Sequence, residues 1–320
     1  IKVEMEECMI YSFTANLAID LFVETERLES NTVNRTNYTE LTANGKGVNF
    51  SLVLKELGIE STVTGFKAGF TGDFIEEEIE KQGLKTYFPE VDGITRINIF
   101  TKVLSEDSEY TQVNPGPKIS EEAKKEFVEY LRQNLKKDDV LSINGSFPEG
   151  IDEEYLKEIC KITEEKSVKL IIDNSSMFVK NLCKYRPFLL KPNEDELCAW
   201  FNEEVKDGEQ FIRLSQELLR MGAQNILLSL GSEGAMFINN DMIIYCNAPK
   251  GQVVNTAMAG DTLLATYVGE IMKNNSPEEA LKKSVAAGSS TAFRENLTNF
   301  EDVDELMKQI KVENLRRGNE

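Results

Sequence analysis

The sequence predicts an α/β fold in which helices cover both faces of a central sheet. Short apolar segments rich in β-branched residues alternate with longer segments whose apolar residues recur every three to four positions. This alternation runs through most of the 320 residues, and 41% of them are hydrophobic, which is enough for a sizeable core. Neither a repeat nor a low-complexity linker interrupts the pattern. We therefore predict one large domain.

The first long helical pattern covers residues 46–57. Val48, Leu52 and Leu57 lie on one face of this segment. Gly58 follows as the glycine that commonly ends a helix, because it adopts the left-handed conformation without a steric cost. The other predicted helices are residues 153–165, 194–201, 209–221, 261–273 and 277–293.

The predicted strands differ in polarity. The apolar ones are residues 9–14, 61–65, 140–144, 168–173 and 225–230. Residues 34–42 and 95–103 are instead polar but rich in β-forming side chains, which favours an exposed, two-sided sheet. Ligands of open α/β sheets bind at the carboxyl ends of the strands, so functional residues are expected directly after strands.

Composition excludes several classes of function. The absence of histidine removes the usual general base, the Ser-His-Asp triad and most transition-metal sites, which leaves proton transfer to a carboxylate or a lysine. A net charge of −19 argues against nucleic acid and anionic membranes as partners. The five cysteines lack C-x-x-C spacing, which indicates reduced thiols. Without a membrane-spanning run or a secretory signal, a cytoplasmic location is expected.

The segment NTAMAGDTLLATYVGEIM, residues 255–272, places an acid at the start of an apolar helix. Apolar residues recur at helical spacing from Leu264 onward, and Asp261 precedes them directly after Gly260. The free N–H groups and the dipole of a helix N-terminus attract anions. Asp261 either caps this helix or acts on a ligand that approaches the small residues around it, and the segment alone leaves both readings open.

Three further motifs are ambiguous when each is taken alone. ANGKGVN, residues 43–49, places a lysine between two glycines before a helix; it fits a turn or a ligand loop, and it is not a P-loop. In KPNEDE, residues 191–196, Asn193 and Glu196 either form a capping box or surround a magnesium-bound phosphate. SLGSEG, residues 229–234, fits a β-turn or a loop whose N–H groups approach nucleotide phosphates.

The order and spacing of these motifs resemble the PfkB (ribokinase-like) carbohydrate kinases, and within them the 1-phosphofructokinase and tagatose-6-phosphate kinase branch. The similarity extends from Met9 to about Leu306 and includes MIYSFTANLAID, TVNR, NGKGVN, TRIN, INGSFPEG, KPNEDE, SLGSEGA and AGDT, in family order. The resemblance implies a ribokinase-like fold with a mostly parallel sheet and a small β-sheet lid. It also implies ATP-dependent phosphorylation of a sugar phosphate, with fructose 1-phosphate the first expected substrate and tagatose 6-phosphate the second.

The resemblance assigns catalytic and sugar-binding roles by position. The family signature G-A-G-D aligns with Met258, Ala259, Gly260 and Asp261. It makes Asp261 the catalytic base, and the backbone N–H groups of these four residues an anion hole for the transferred phosphoryl group. The expected substrate-binding residues are Asp20, Arg35, Gly45, Lys46, Asn49, Arg96 and Asn144. The two arginines of this set would bind the phosphate already on the sugar, which suits a bidentate guanidinium.

ATP and Mg²⁺ are the cofactors that the resemblance implies. The expected contacts are Lys191, Asn193 and Glu196 for the ATP phosphates, Ser229, Gly231 and Gly234 for the nucleotide loop, and Val285 and Ser289 for the adenine. Asn193 and Glu196 would also serve the metal, through water or phosphate.

The resemblance also implies a domain organisation. Residues 9–320 are expected to form a single ribokinase-like domain. Residues 1–8 are expected to be an extension or a cloning remnant for a separate reason, because MIYSFT from Met9 reads like a natural start. The polar strands would belong to a lid formed by about residues 21–43 and 93–105. Such a lid closes over the sugar, excludes water and often pairs with a second subunit, so a homodimer through the lid is expected.

Three positions depart from the family pattern. Leu17 replaces the proline of N-P-x-x-D, and Asn44 and Met258 replace the first glycines of G-G-K-G and G-A-G-D. Asn44 puts a side chain where the sugar usually meets backbone, and Met258 would be strained by about 1–2 kcal/mol if its φ is positive. Two alternatives to a sugar-phosphate kinase therefore remain: a non-catalytic sensor of nucleotide or sugar phosphate, and a kinase of an unphosphorylated sugar or nucleoside.

Overall fold

The computed structural model describes residues 8–205 and 207–317. The strands in these ranges are β1 (Ile10–Thr14), β2 (Ala18–Thr25), β3 (Thr36–Asn44), β4 (Ser61–Gly65), β5 (Lys85–Tyr87), β6 (Arg96–Val103), β7 (Ser108–Gln112), β8 (Val140–Asn144), β9 (Lys169–Asp173), β10 (Leu189–Leu190), β11 (Ile226–Ser229), β12 (Ala235–Ile238), β13 (Met242–Cys246) and β14 (Val312–Arg317). The helices are α1 (Lys46–Glu56), α2 (Gly69–Lys81), α3 (Glu121–Asn134), α4 (Glu153–Glu165), α5 (Val179–Leu182), α6 (Glu194–Phe201), α7 (Gly208–Arg220), α8 (Ala259–Met272), α9 (Pro277–Ala292) and α10 (Val303–Met307). Short 3₁₀ turns cover Leu104–Glu106, Cys183–Tyr185 and Gly231–Glu233. Every predicted helix and strand is present, with ends that differ by at most two residues.

The larger sheet is mostly parallel. In the part of the chain that the structure describes, it has ten strands in the order β14-β13-β12-β11-β10-β9-β8-β1-β4-β5. From β11 to β5 all neighbouring strands run parallel, and β12, β13 and β14 form an antiparallel edge. This architecture confirms the predicted α/β fold, with its mostly parallel sheet.

Helices cover both faces of this sheet. Successive strand residues point to opposite faces, and β9 illustrates the result. Ile171 packs in one apolar cluster with residues of α1, α8, α9 and α10, whereas Ile172 packs in another with residues of α3, α4, α6 and α7. Because both faces are buried, the central strands β8 to β12 are mostly apolar rather than alternating.

A separate sheet of four strands, in the order β3-β2-β6-β7, lies beside the larger one. Most of β3 is exposed, as its polar sequence predicts, whereas β6, the other strand predicted to be exposed, is mostly half-buried. Most of β7, which was not predicted, is exposed. This small sheet begins at Ala18 and ends at Gln112, so it is larger than the two lid segments at 21–43 and 93–105. It includes β2, whose residues 18–20 precede the predicted lid, and β7, which follows it.

Other sequence predictions concern the chain as a whole. The five cysteines are unpaired, as predicted. Among residues 8–205 and 207–317, no helix combines the length and the hydrophobicity that a membrane crossing requires. The predicted extension at 1–8 lies outside the described residues except for Cys8.

Candidate active site

Polar residues converge at the carboxyl ends of three adjacent strands. Asn144 is the last residue of β8, Asp173 is the last residue of β9 and pairs with it, and Lys191 directly follows β10. Gly145 then turns the chain with a φ of 86°, and a Cβ at this position would lie 3.7 Å from the Cβ of Lys46. Strand order thus brings residues distant in sequence to one edge of the sheet, as expected for ligand sites in such folds.

A buried carboxylate joins the two lysines of this edge. Asp173 is fully buried, and its Oδ1 lies 3.5 Å from Nζ of Lys46 and 3.2 Å from Nζ of Lys191. The negative charge of Asp173 raises the pKa of Lys46. Sequence reasoning missed Asp173, although an acid at the carboxyl end of a buried strand was a detectable signal.

Asp261 lies in the first turn of α8 and is only 6% exposed. Its Oδ2 accepts a hydrogen bond from Nδ2 of Asn49 at 2.9 Å. Burial, followed by the charge of Asp173, raises the pKa of Asp261 to about 6, although Lys46, Asn49 and Lys191 act in the opposite direction. The N-cap of α8 is Met258, and it makes no side-chain capping bond. The carboxylate of Asp261 is therefore bound by a neighbouring helix, and capping does not account for it.

The backbone around Met258 forms the turn that starts α8. Met258 has a φ of 64° and a ψ of −10°, so a side chain occupies the left-handed conformation that glycine prefers. The next turn places the N–H groups of Gly260 and Asp261 where a helix provides no acceptor for them. A Cβ on Gly260 would lie 3.5 Å from Nζ of Lys191, so this ammonium group faces the same turn. Free N–H groups and an ammonium group are both able to bind an anion, and here they face the same turn.

Replacing Met258 with glycine is expected to raise the free energy of unfolding by up to about 1 kcal/mol, because relief of the left-handed strain exceeds the added entropy of the unfolded chain. Urea denaturation measures the change. The matched control is Met258→Ala, which removes the side chain but keeps the strain and should give no such gain. An equal gain in both variants would show that the methionine side chain, rather than φ, is the cause.

A chain of hydrogen bonds links Asp261 to a second buried carboxylate. Asp20, on β2, is 3% exposed and accepts from Nδ2 of Asn98 at 2.9 Å and from Nδ2 of Asn44. The Oδ1 of Asn44 accepts from Nδ2 of Asn49 at 3.2 Å, and Asn49 in turn donates to Asp261. Neither asparagine was among the predicted site residues: Asn44 was noted only as a departure from the family motif, and Asn98 is revealed only by its contact with Asp20.

A cleft of about 220 Å³ opens beside these residues. Its lining residues are Thr14, Asn16, Gly45, Lys46, Arg96, Gly145, Ser146 and Ser175. The Arg96 guanidinium donates to the backbone carbonyls of Asn16 at 3.1 Å and Asn114 at 3.4 Å, which holds it against the wall of the cleft. Partial burial lowers its pKa.

Arg35 lies far from this cleft in its own chain. It is exposed and immediately precedes β3, whose first residue Thr36 pairs with Thr25, whereas Asn44, at the other end of β3, pairs with Ala18 beside the cleft. At about 3.3 Å per residue, the Cα atoms of Arg35 and Asn44 are roughly 30 Å apart. The structure therefore does not bring Arg35 to the other predicted substrate-binding residues.

The predicted phosphate contacts after β10 form a capping box. Asn193 caps α6 by accepting from the Glu196 N–H at 2.8 Å, and Glu196 accepts from the Asn193 N–H at 3.0 Å. The backbone N–H of Ser229 donates to Pro192 at 3.1 Å, so β11 ends beside this cap. Residues 8–205 and 207–317 contain no group of three or more His, Cys, Asp or Glu side chains that could hold a metal ion.

The predicted nucleotide-loop residues lie at the end of β11 and directly after it, and the predicted adenine contacts lie on α9, which packs against α8. Gly231 and Gly234 have φ values of 52° and 110°, and a Cβ on Gly234 would overlap the Cys246 carbonyl. On α9, Val285 is buried and Ser289 is partly buried. Gly288 on the same helix brings α9 against α8, because a Cβ there would lie 3.1 Å from the carbonyl oxygen of Ala259.

The sequence profile described as "pfkB family carbohydrate kinase" matches residues 6–303. The chain belongs to this family. Among its relatives within the PfkB family, the D-tagatose-1-phosphate kinase of Bacillus licheniformis is 42% identical over 308 residues, which cover 96% of this chain and 100% of that protein. The 1-phosphofructokinase of Bacillus subtilis is 33% identical over 308 residues, with the same two coverages. A Staphylococcus aureus protein of known crystal structure is 33% identical in sequence. Its structure superposes with a TM-score of 0.86, and the match covers 96% of this chain and 99% of the Staphylococcus aureus chain.

Membership of the PfkB family confirms the enzyme class predicted from the motifs. The chain is a carbohydrate kinase of the 1-phosphofructokinase type, with sugar-phosphate kinase activity. The match to the Staphylococcus aureus structure confirms the ribokinase-like fold, including the small second sheet.

Proposed function

We propose that this PfkB kinase binds ATP with Mg²⁺ and transfers the γ-phosphate of ATP to a hydroxyl of a ketohexose 1-phosphate. The observation that carries the proposal is the buried Asp261 at the N-terminus of α8, where free N–H groups and Lys191 face the same turn. The names of the relatives, D-tagatose-1-phosphate kinase and 1-phosphofructokinase, support the substrate class. Fructose 1-phosphate and tagatose 1-phosphate are the first candidates, and tagatose 6-phosphate is the alternative.

In this mechanism Asp261 accepts the proton of the attacking hydroxyl. Asn49 holds one oxygen of the Asp261 carboxylate through its amide, which leaves the other oxygen for the substrate. The N–H groups of Gly260 and Asp261 stabilise the negative charge of the transferred phosphoryl group. Lys46 and Lys191 add positive charge to the site, and Asp173 holds both of their ammonium groups through ion pairs.

The donor set of the site fits ATP and Mg²⁺. Lys191 and the start of α8 supply positive charge for the phosphates, and Gly231 and Gly234 allow backbone to approach them. Glu196 uses one carboxylate oxygen in the capping box and keeps the other for the metal, through water or phosphate. Bound Mg²⁺ would neutralise charge on the phosphate oxygens.

A coupled ADP-release assay on a panel of sugars tests this proposal. The panel contains fructose 1-phosphate, tagatose 1-phosphate, tagatose 6-phosphate, the unphosphorylated ketohexoses and a nucleoside. We expect the highest kcat/KM with a ketohexose 1-phosphate. Turnover of only unphosphorylated acceptors would favour a kinase of an unphosphorylated sugar or nucleoside. Thermal stabilisation by ligands without any turnover would favour a non-catalytic sensor of nucleotide or sugar phosphate.

The activity is expected to fall at acid pH. A general base acts only in its ionised form, and the pKa of Asp261 is raised to about 6. The kcat/KM should therefore be constant above that pKa and fall about tenfold per pH unit below it, as the carboxylate becomes protonated. A pH profile with the assay enzymes in excess measures this, and tryptophan fluorescence controls for unfolding. A flat profile down to pH values well below the pKa would contradict the assignment.

We also propose that two copies pair through the small sheet. Large hydrophobic side chains are exposed on the small sheet, at Tyr38, Leu41 and Tyr110, and in the loop between β2 and β3, at Leu28 and Val33. Pairing of two copies would remove such side chains from water. Pairing would also give Arg35 a role, because it lies at the end of the sheet farthest from the cleft of its own chain. In such a dimer, Arg35 would contact the substrate phosphate in the cleft of the partner.

Mixed dimers test whether Arg35 acts across the interface. Arg35→Ala alone should raise the KM for the sugar phosphate by about 10–100-fold, because a charged phosphate contact is lost. A heterodimer of Arg35→Ala with Asp261→Asn should recover about half of the wild-type activity, since one of its two sites has both residues intact. Size-exclusion chromatography controls for dimer formation. No recovery in a confirmed heterodimer would place the action of Arg35 within its own chain.

A further inference from the structure

Asn44 lies at the junction between the small sheet and the substrate loop. It is the last residue of β3, it pairs with Ala18 across the sheet, and it directly precedes Gly45. Its side-chain amide donates to one oxygen of Asp20. The resembling family motif has a glycine at this position, and a glycine offers no side chain for this contact.

The neighbours of Asn44 determine how its amide is oriented. Its Oδ1 accepts from the Gly45 N–H at 2.6 Å and from Nδ2 of Asn49 at 3.2 Å. Both contacts require an acceptor, so the amide nitrogen must point towards Asp20. An NH₂ group carries two hydrogens. Within residues 8–205 and 207–317 only the bond to Asp20 uses one of them, so the second can bind a ligand.

Asp20 is held in the same way on its other side. Its Oδ1 accepts from Nδ2 of Asn98 at 2.9 Å, and Oδ1 of Asn98 accepts from the Asn114 N–H at 3.2 Å. An ionised carboxylate has about four lone-pair positions, so each oxygen of Asp20 keeps one acceptor position after these contacts. The buried site therefore presents a donor on Asn44 directly beside acceptors on Asp20.

We infer that Asn44 determines which ketohexose phosphate this enzyme prefers, by placing an oriented N–H donor beside the Asp20 carboxylate. The inference rests on the proposed function. A sugar hydroxyl bound here donates its proton to Asp20 and accepts one from Asn44, which restricts the position of its oxygen. Fructose 1-phosphate and tagatose 1-phosphate differ only in the configuration at C4. A paired donor and acceptor distinguishes such epimers better than a carboxylate alone, because the wrong epimer leaves a buried polar group unpaired.

The test compares kcat/KM for fructose 1-phosphate and tagatose 1-phosphate in the wild type, Asn44→Gly and Asn44→Ala. We expect the ratio of the two values to change by about tenfold or more in both variants. Asn240→Ala makes the same change at an exposed position in the turn between β12 and β13; it is the matched control and should leave the ratio unchanged. Thermal unfolding of each variant establishes that it is folded at the assay temperature.

Two outcomes would overturn the inference in distinguishable ways. An equal loss of kcat/KM for both sugars, with the wild-type ratio preserved, would mean that Asn44 only supports the local structure. The proposed function would then stand and the inference would fail. Failure of the wild type to phosphorylate either sugar would overturn the proposed substrate class, and the inference with it.

Discussion

Replacing Asp261 with asparagine is expected to lower kcat by about 10²–10⁴-fold, because the change removes the only group proposed to accept the proton of the attacking hydroxyl. The amide keeps the shape of the side chain. The fold should tolerate it, since burial already disfavours the charged carboxylate and raises its pKa. The variant should therefore unfold at the wild-type temperature or above it.

The coupled ADP-release assay measures this loss, and two controls restrict its meaning. Asp304→Asn makes the same chemical change at an exposed position near the start of α10 and should leave kcat unaltered. Thermal stabilisation by ATP should persist in Asp261→Asn, because the N–H groups and Lys191 remain. If the variant kept more than a tenth of the wild-type kcat, Asp261 would not be the base.

Replacing Asp173 with asparagine is expected to lower the free energy of unfolding by about 3 kcal/mol, near the lower end of the range for breaking a buried ion pair. The cost arises mainly at Lys191, whose side chain is 5% exposed and loses its carboxylate partner. Lys46 contributes less, because its side chain is 41% exposed and can be hydrated. Urea denaturation measures the loss.

The same variant should also change the pH profile of the enzyme. The charge of Asp173 raises the pKa of Asp261, so its removal should move the acid limb of kcat/KM to lower pH. Glu270→Gln is the matched control: Glu270 is also a buried carboxylate, paired with Lys283 at 2.8 Å, but it lies farther along α8. It should lower stability and leave the acid limb unmoved. An unmoved limb in Asp173→Asn would contradict the proposed coupling between the two carboxylates.

Local sequence patterns predicted six of the ten helices and seven of the fourteen strands in the described residues. Among the strands they missed is β2. This strand begins only four residues after β1 ends, and its side chains are partly polar. Its partners β3 and β6 follow later in the chain, and contacts such as the stacking of Phe22 on Phe100 across the pair are formed only in the folded sheet. Apolar residues at every second position, Ile19, Leu21 and Val23, were a local signal for this strand, but its pairing with distant segments has no local signature.

The residues of the candidate site also fall into two groups, those that local motifs predicted and those that only the folded structure brings together. Motif order pointed to Asp261, Lys46 and the capping box of Asn193, because each of these lies in a contiguous segment with its own spacing. Asp173 belongs to no such motif. Its position at the carboxyl end of a buried strand was a general signal, but its pairing with Lys46 and Lys191 is visible only in the folded structure. Arg35 shows the reverse case. A motif predicted that Arg35 lies in the cleft, but the register of β3 places it about 30 Å from the cleft of its own chain.

By itself the sequence determined the fold class, the carbohydrate-kinase family and the acid at the start of α8, because these depend on residue order and on local periodicity. Only the tertiary structure decided how those residues are charged and oriented. Burial beside Asp173 raises the pKa of Asp261, the helix start imposes a positive φ on Met258, and two asparagines, Asn44 and Asn49, connect Asp20 to Asp261. Burial and hydrogen-bond geometry depend on which residues surround a side chain in space, and in this fold those residues come from distant parts of the chain.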